Sequence, residues 1–293
     1  MLAFRRMRLA EAVWRTARPV HWVKNGFVLA PAVFAGHATE PQALALAAGT
    51  AAAFCLASSA GYFVNDVLDR EADRADPVKR RRPVASGALR PATALGWGSA
   101  LVLAALAGAA LLGGWVAACV AAYLGLTFLY SLVLKRVPVL EAMVLGAMFL
   151  VRLAAGALAI RVPISHWLLI CGFGLALLLA FGKRVPEVDH LTSRSPLYPA
   201  TFLHEVVTLL AGVTVVSYTL YTVAPDTVAK VGSHALLLTV PLVLFGVLRY
   251  LLLLHREGAQ DPTATLVRDR PLLATVVLWG AAAGAIVYLA GGG

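Results

Sequence analysis

The stretch Ala43–Asp73, ALALAAGTAAAFCLASSAGYFVNDVLDREAD, joins a long run of apolar and small residues directly to a cluster of acids. The apolar part is long enough to cross a bilayer as a helix. If the helix continues beyond it, Asn65, Asp69 and Asp73 lie four residues apart on one face, and Asp66 borders that face. The sequence therefore predicts a membrane-spanning helix whose polar end carries four oxygen-bearing side chains.

Acids spaced over two helical turns repel one another when they are ionised, and a divalent cation cancels that repulsion. Carboxylate and amide oxygens are the ligands that Mg²⁺ takes, usually one or two carboxylates together with substrate phosphates. We therefore expect Asn65, Asp66, Asp69 and Asp73 to hold Mg²⁺. The alternative is a solvated helix end at a membrane surface, where acids and bases pair along the helix.

The composition favours a membrane protein. Of the 293 residues, 60% are hydrophobic and only 14% are charged, and the mean hydropathy is +0.80, values unlike those of a soluble domain. The net charge of +10 could suggest a nucleic-acid partner. However, the basic residues fall at the ends of the apolar segments, where they are typical of loops facing anionic lipid. We therefore expect a bilayer and no nucleic acid as the partner.

The apolar segments predict an all-α, polytopic bundle that forms one domain over residues 1–293. Each segment is close to the ~20 residues needed to cross a bilayer. The nine predicted spans are 22–36, 43–66, 92–112, 115–134, 139–160, 164–182, 204–223, 234–254 and 272–290. The second to fourth are rich in Gly and Ala, which allows close helix packing in lipid. The same residues would equally serve a homo-oligomer interface.

The distribution of Lys and Arg predicts the orientation. With the N-terminus in the cytoplasm, all of the 25 basic residues except Arg152, Arg161 and Lys230 lie on the cytoplasmic side. This gives an N-in, C-out topology in the plasma (inner) membrane, with the acidic motif and the longer cap loops facing the cytoplasm. Residues 1–20 form a cytoplasmic N-terminal segment, with 9–17 as a short amphipathic helix.

Arg152 lies far inside the predicted span 139–160, some 20 Å deep at ~1.5 Å per residue. A charge at that depth is costly in lipid, so its side chain should face the bundle interior or a polar cavity and take part in function. The alternative is a structural latch, in which Arg152 pairs with Glu141 or with a backbone carbonyl.

Three short motifs lie at the predicted cytoplasmic ends of spans. They are Asn65-Asp66-x-x-Asp69-x-x-x-Asp73, the run that ends in Arg82-Pro83-x-x-Ser86-Gly87, and Tyr130-Ser131 with Lys135-Arg136. Together with the nine spans, they resemble the UbiA-type superfamily of intramembrane prenyltransferases. The resemblance covers nearly the whole chain and implies a helical transferase with its acidic motifs on cytoplasmic loops.

The second acidic motif of that family is degraded here. Ordinary members carry Tyr-x-x-Lys-x-x-x-Asp-x-x-x-Asp after the sixth span. The matching stretch begins at Ala180 in place of Tyr, keeps Lys183, has Glu187 in place of the first Asp and Leu191 in place of the second. Two acidic clusters suit a diphosphate clamped by metals on both sides, so a single one implies a different arrangement of phosphate ligands.

Three further stretches are similar to one branch of the family, the decaprenyl-phosphate phosphoribosyltransferases of actinobacterial cell-wall synthesis. They are Arg18-Pro19-x-x-Trp22-x-Lys24-Asn25, Lys183-Arg184 with Glu187, and Asp261-Pro262 followed by Arg268-Asp269-Arg270-Pro271. Members of that branch transfer 5-phosphoribose from phosphoribosyl pyrophosphate (PRPP) to a polyprenyl monophosphate. The resemblance therefore implies PRPP and a polyprenyl phosphate as substrates. It also implies a product that feeds arabinan precursor synthesis.

The resemblance implies roles for individual residues. Asp66, Asp69 and Asp73 would be catalytic, holding Mg²⁺ on the pyrophosphate of PRPP together with Asn65. Basic side chains would bind the phosphates, since Arg forks match phosphate oxygens. The implied substrate-binding residues are Asn65, Lys24, Lys79, Arg80, Arg82, Tyr130, Lys135, Arg152, Lys183 and Glu187. Any single cation of the run 79–82 could instead belong to a lipid-surface patch.

Two other functions stay open at this point. A prenyltransferase proper would move a prenyl group from its diphosphate to an aromatic acceptor, as in quinone synthesis, but the degraded second motif argues against it. A transporter or lipid-binding scaffold would need the acids to be structural or ion-conducting. Transport sites usually lie near the bilayer midplane, whereas these acids lie at the membrane surface.

Overall fold

The computed structural model describes residues 8–164, 166–185, 198–257 and 262–290, and these ranges contain helices and no β-strand. The α-helices are α1 (Leu9–Ala17), α2 (Ala30–Phe34), α3 (Pro41–Leu68), α4 (Arg70–Ala75), α5 (Pro83–Ser86), α6 (Pro91–Leu112), α7 (Gly114–Leu132), α8 (Leu140–Ala159), α9 (His166–Gly182), α10 (Ala200–Val223), α11 (Pro225–Val231), α12 (Val240–Glu257), α13 (Pro262–Arg268) and α14 (Arg270–Ala290). Short 3₁₀ helices cover Pro19–Leu29, Lys79–Arg81, Leu134–Arg136 and Ala235–Thr239.

Within the described ranges, seven helical stretches are long and apolar enough to cross a membrane. They are α3, α6, α7, α8, α10, α14 and the stretch Ala235–Arg256, which joins a 3₁₀ turn to α12. Helix α9 is also apolar but has only 17 residues. These eight match eight of the predicted spans to within a few residues at each end. The described part of the chain has an all-helical architecture, and the protein is a multi-pass membrane protein.

The prediction of a single α-helix over 22–36 is wrong. The chain instead forms an 11-residue 3₁₀ helix, Pro19–Leu29, followed by the short α2. Three residues per turn bring Trp22, Asn25 and Val28 onto one face. Trp22 donates to the hydroxyl of Ser59 at 3.0 Å, and Asn25 and Val28 are buried. An α-helical turn would separate these side chains around the helix, so contacts with α3 favour the tighter winding.

The chain forms two compact units, of which the first contains 8–32, 38–135 and 151–163. In this unit α3 packs against α6, α7 and the 3₁₀ helix. A Cβ added at Gly61 of α3 would lie 2.5 Å from Cγ2 of Thr127 in α7. The two helices therefore approach each other more closely than an alanine would allow, the close packing that small residues permit in lipid.

The second unit contains 33–37, 136–150, 164, 166–185, 198–257 and 262–290. Here α9 packs against α10, α10 against α12, and α12 against α14. Its apolar core includes Leu178, Phe181, Tyr198 and Leu203. Helix α8 contributes its first half to this unit and its second half to the first unit.

Candidate active site

The acidic motif lies at the end of α3 and continues into α4. Asp69 separates the two helices, yet the pattern of hydrogen bonds between residues four apart persists: Asp69 N donates to Asn65 O, and Asp73 N donates to Asp69 O, each at 2.8 Å. The spacing of Asn65, Asp69 and Asp73 along one face is therefore kept through the break.

Asp66 is buried, with 1% of its surface exposed. Arg18, which ends α1 in a left-handed conformation, donates from Nη2 to Asp66 Oδ1 at 2.5 Å, and its guanidinium lies 4.7 Å from the centre of the Tyr62 ring. Arg82 Nη1 lies 3.6 Å from the same carboxylate oxygen. Two cations from distant parts of the sequence therefore compensate one buried acid.

The other two aspartates also face a basic side chain. Arg82 Nη1 donates to Asp73 Oδ2 at 2.6 Å, and Lys135 Nζ donates to Asp69 Oδ1 at 2.5 Å. Asp73 is buried, whereas Asp69 is half-buried. Each acid of the motif is thus neutralised by at least one Arg or Lys, and two of these cations, Arg82 and Lys135, are residues that the sequence associated with phosphate.

The donor set fits Mg²⁺. The second carboxylate oxygen of Asp66, Oδ2, is buried and has no hydrogen-bond partner among the described residues, and a buried polar atom without a partner is costly unless a ligand satisfies it. The described ranges contain no group of three or more His, Cys, Asp or Glu side chains already arranged around a metal position. The acids are instead held by cations, which a metal would have to displace.

The basic run 79–82 divides into an outward and an inward part. Lys79 and Arg80 are exposed, and Lys79 Nζ lies 3.6 Å from a carboxylate oxygen of Asp76. The backbone N–H of Lys79 donates to Asp76, and this hydrogen bond holds the pKa of Asp76 below its usual range. Only Arg82 turns towards the acidic motif. The four basic residues are consecutive in the sequence, but the 3₁₀ turn directs Lys79 and Arg80 outward and Arg82 towards the acidic motif.

Arg152 lies in a polar cluster inside the first unit. Its Nε donates to Asn25 Oδ1 at 2.8 Å and its Nη2 donates to the Tyr123 hydroxyl at 2.9 Å, with the guanidinium 4.6 Å from the ring centre. The alternative of a latch with Glu141 is wrong. The two residues are eleven positions apart on α8, about 16 Å at 1.5 Å per residue, which is too far for an ion pair.

Three of the remaining predicted residues lie on a helix or directly after one. Lys24 is exposed on the 3₁₀ helix, Tyr130 is half-buried near the end of α7, and Lys183 is exposed directly after α9. Glu187 lies outside the described residues. Arg18 and Tyr123 contact site residues but had no role assigned from the sequence. Arg18 stands in the quoted opening motif, whereas nothing in the sequence distinguishes Tyr123 from other tyrosines in apolar spans.

The model of the UbiA prenyltransferase family matches residues 26–270, more than four-fifths of the chain. The chain belongs to the UbiA prenyltransferase family. Within this range lie all four residues of the acidic motif together with Arg82, Lys135, Arg152 and Lys183. The family resemblance of the motifs is therefore confirmed across the chain.

Curated relatives of this UbiA-family chain carry a more specific name. The decaprenyl-phosphate phosphoribosyltransferase of Mycobacterium tuberculosis is 35% identical over 292 residues, 95% of each chain. The protein of the same name from Corynebacterium glutamicum is 36% identical over 225 residues, 73% of this chain and 68% of its own. Similarity to the branch expected from the sequence therefore extends along almost the full length.

A solved structure supports the UbiA fold. The UbiA homolog from Archaeoglobus fulgidus bound to GPP and Mg²⁺ superposes with a TM-score of 0.70, covering 94% of this chain and 99% of that one. At 18% sequence identity the similarity concerns the fold alone. This protein therefore has the fold of the UbiA family.

The C-terminal UbiA-branch motif has a structural role at Asp269. Both of its carboxylate oxygens accept from Arg249, from Nε at 3.1 Å and from Nη2 at 2.7 Å, and Oδ1 also accepts from the backbone N–H of Leu272 at 2.8 Å. Asp269 thus caps the start of α14 and ties it to α12. The hydrogen bond from Arg249 holds the pKa of Asp269 below its usual range. Asp261 lies outside the described residues.

Proposed function

We propose that this chain transfers 5-phosphoribose from PRPP to a polyprenyl monophosphate, decaprenyl phosphate or a close analogue, and releases pyrophosphate. The observation that carries the proposal is the 35% identity, over 95% of both chains, to a protein named decaprenyl-phosphate phosphoribosyltransferase. The intact first motif and the degraded second motif support the same assignment. The product would serve as a precursor of cell-wall arabinan.

In this reaction the acidic motif holds the leaving group. Asn65, Asp66, Asp69 and Asp73 would bind Mg²⁺, which, when bound, neutralises and orients the departing pyrophosphate. The unpartnered Oδ2 of Asp66 supports this role, because a cation would satisfy it. Asp69 is the most exposed of the three acids and lies beside Lys135, so we propose that it is the first of them to meet a soluble substrate.

The basic residues supply the phosphate contacts. Arg82 and Lys135 now neutralise motif acids, and a metal on those acids would free both cations for phosphate oxygens. Lys79 and Arg80 are proposed for the 5-phosphate or the pyrophosphate of PRPP. Arg152, Lys135 and Lys183 are proposed for the lipid phosphate. The remaining proposed contacts to substrate come from Lys24, Tyr130 and Glu187.

The acceptor needs little activation. A phosphate monoester is an anion near pH 7 and is already a competent nucleophile, so no general base is required. As pyrophosphate leaves, positive charge develops at C1 of the ribose and the lipid phosphate attacks from the opposite face. A reaction that needs no general base agrees with a site in which acidic side chains lie beside Arg and Lys side chains. The isoprenoid tail would lie in an apolar groove open to the bilayer.

The proposed topology has nine spans, with the N-terminus and the acidic motif on the cytoplasmic side of the plasma (inner) membrane and the whole chain as one UbiA-like domain. The length of the first segment supports the ninth span. Its 11 residues of 3₁₀ helix rise about 2.0 Å per residue and the five residues of α2 rise about 1.5 Å per residue, which together gives about 30 Å, the thickness of the hydrocarbon core. The tighter winding thus lengthens a segment that would be short as an α-helix. PRPP, a soluble metabolite, would reach the motif from the cytoplasm.

The test uses purified protein in detergent with Mg²⁺, a polyprenyl monophosphate and radiolabelled PRPP, followed by extraction of the lipid. We expect label in the organic phase that disappears with EDTA and with Asp69→Asn. Absence of label from the lipid would overturn the proposal. Turnover of a prenyl diphosphate with an aromatic acid would then assign the chain to the prenyltransferases proper, whereas lipid binding that is indifferent to EDTA would favour a scaffold.

A further inference from the structure

A second polar cluster lies in the second unit, around a carboxylate that the proposed chemistry does not use. Glu141, in the first turn of α8, is completely buried. It forms an ion pair with Arg184, and its Oε1 accepts a hydrogen bond from the hydroxyl of Tyr198 at 2.9 Å. A buried acid in an apolar helix is costly unless it is paired, so this arrangement requires an explanation.

Arg184 connects this acid to the end of α9. Besides pairing with Glu141, its Nη1 donates to the carbonyl of Ala180 at 2.5 Å, one of the last carbonyls of the helix. Unsatisfied carbonyls weaken a helix end, and a basic side chain at that end stabilises it. The pair therefore fixes the last turn of α9 to the beginning of α8. Lys183, the lysine kept from the second acidic motif, is the residue directly before Arg184.

Tyr198, which lies just before α10, is the second partner of Glu141. Its hydroxyl accepts from the backbone N–H of Val139 at 2.6 Å while it donates to Glu141. Its ring stacks on Phe202 with centroids 5.6 Å apart. Burial, chiefly, raises the pKa of Tyr198 to about 12, so the hydroxyl stays protonated and can donate at any physiological pH. Val139 has a positive φ of 65°, unusual for a β-branched residue, and this hydrogen bond helps to hold it.

We infer that Glu141 is a positioning residue that, through Arg184 and Tyr198, holds Lys183 in place for the phosphate of the lipid acceptor. One carboxylate anchors the residues that flank both ends of the connection between α9 and α10. The inference rests on the proposed function for the identity of the substrate, but not for the mechanical link between Glu141 and Lys183. It explains why the ion pair between the buried Glu141 and the half-buried Arg184 lies next to Lys183, the lysine that the second motif retains.

The kinetic test compares Glu141→Gln, Lys183→Ala and the double variant, with Glu205→Gln, an exposed acid on α10, as matched control. We expect Glu141→Gln and Lys183→Ala each to raise the KM for the polyprenyl phosphate roughly tenfold, because misplacing a binding group by about 1 Å has effects of this size or larger. The KM for PRPP should stay unchanged. The double variant should be no worse than either single variant, since both remove the same contact.

A purely structural role gives a different result. Glu141→Gln would then lower the thermal midpoint while both KM values stay at the wild-type level, or its effect would add to that of Lys183→Ala, and either outcome overturns the inference. If Glu141→Gln fails to fold, Tyr198→Phe replaces it, because it removes only the hydroxyl shared by Glu141 and Val139. The same rise in lipid KM is expected, at smaller magnitude.

A readout that needs no turnover separates this inference from the proposed function. A nitroxide is attached at Lys183→Cys after Cys55, Cys119 and Cys171 are replaced by alanine. We expect a broadened, immobile spectrum that narrows when Glu141→Gln is added and stays broad with Glu205→Gln. Spectra unaffected by Glu141→Gln would overturn the positioning role. A wild-type protein that transfers no phosphoribose would overturn the proposed function while the spectra still decide the role of Glu141.

Discussion

The Nε of Arg152 donates a 2.8 Å hydrogen bond to Oδ1 of Asn25, a residue 127 positions earlier in the chain. The guanidinium of this membrane-spanning helix thus binds the Asn25 amide and the Tyr123 hydroxyl, and it also lies over the ring of Tyr123. Cation–π and hydrogen-bond contacts lower the cost of placing this half-buried charge in a membrane-spanning helix and keep it in place. Such a cation remains attractive to an anion, which agrees with the proposed contact to the lipid phosphate.

Arg152→Ala should raise the KM for the polyprenyl phosphate, because the positive charge is lost, with Arg90→Ala, an exposed cation, as control. A double-mutant cycle with Asn25→Ala should give a coupling of about 2 kcal/mol, the usual worth of a hydrogen bond to a charged group. The measurements are steady-state kinetics and thermal unfolding in detergent. Lower thermal stability with normal kinetics would make the cluster a structural latch instead.

Asp69→Asn and Asp73→Asn should each abolish turnover while the protein stays folded, because an amide cannot replace the charge that holds Mg²⁺. Asp76→Asn is the matched control: this acid follows the motif by three residues but faces Lys79 and the backbone of the loop. Activity is measured as label in extracted lipid, and folding as the thermal midpoint. Retention of more than about a tenth of the activity by either motif variant would exclude a metal-binding role for that acid.

Arg82→Ala should destabilise the protein by about 3–5 kcal/mol, because it leaves the buried acids Asp66 and Asp73 short of a cation. Arg81→Ala, the exposed neighbour, should stay within about 0.5 kcal/mol of wild type. Mg²⁺ should raise the thermal midpoint of Arg82→Ala more than that of wild type, since the metal supplies the missing charge, and EDTA should reverse the gain. Equal Mg²⁺ effects on both proteins would argue against metal binding at these acids.

The ion pair between Arg249 and Asp269 predicts a pH dependence of stability. Because the folded-state pKa of Asp269 lies below the unfolded value of about 3.9, the pair stabilises the folded protein above that value. This contribution is lost as the pH falls through the folded pKa, when the carboxylate is protonated. The thermal midpoint should therefore drop below about pH 4, and Asp269→Asn should remove part of that drop. An identical acid profile for the variant would contradict the assignment.

Sequence patterns predicted the parts of the structure that depend on local periodicity. Hydropathy located eight of the nine predicted spans, because lipid requires continuous apolar helices. The four-residue spacing placed Asn65, Asp69 and Asp73 on one face. The 3₁₀ winding of 19–29 was not predictable, because it depends on partners far along the chain. Asn25 Nδ2 donates to the Ser58 hydroxyl at 3.2 Å, and Trp22 donates to the Ser59 hydroxyl. For the same reason the pairing of Arg18 with Asp66, and of Glu141 with Arg184, has no local signature in the sequence.

The close contact between Gly61 and Thr127 gives the most direct test of the packing in the first unit. Gly61→Ala places a methyl group 2.5 Å from Cγ2 of Thr127, so α3 and α7 must separate, and we expect a loss of about 1–3 kcal/mol. Adding Thr127→Ser removes that methyl group but keeps the hydroxyl that donates to the Tyr123 carbonyl at 2.8 Å. Thermal unfolding should therefore show rescue in the double variant. Gly125→Ala, where an added Cβ meets open space, is the control. Loss of stability without rescue would mean that contacts other than Thr127 limit the distance between these helices.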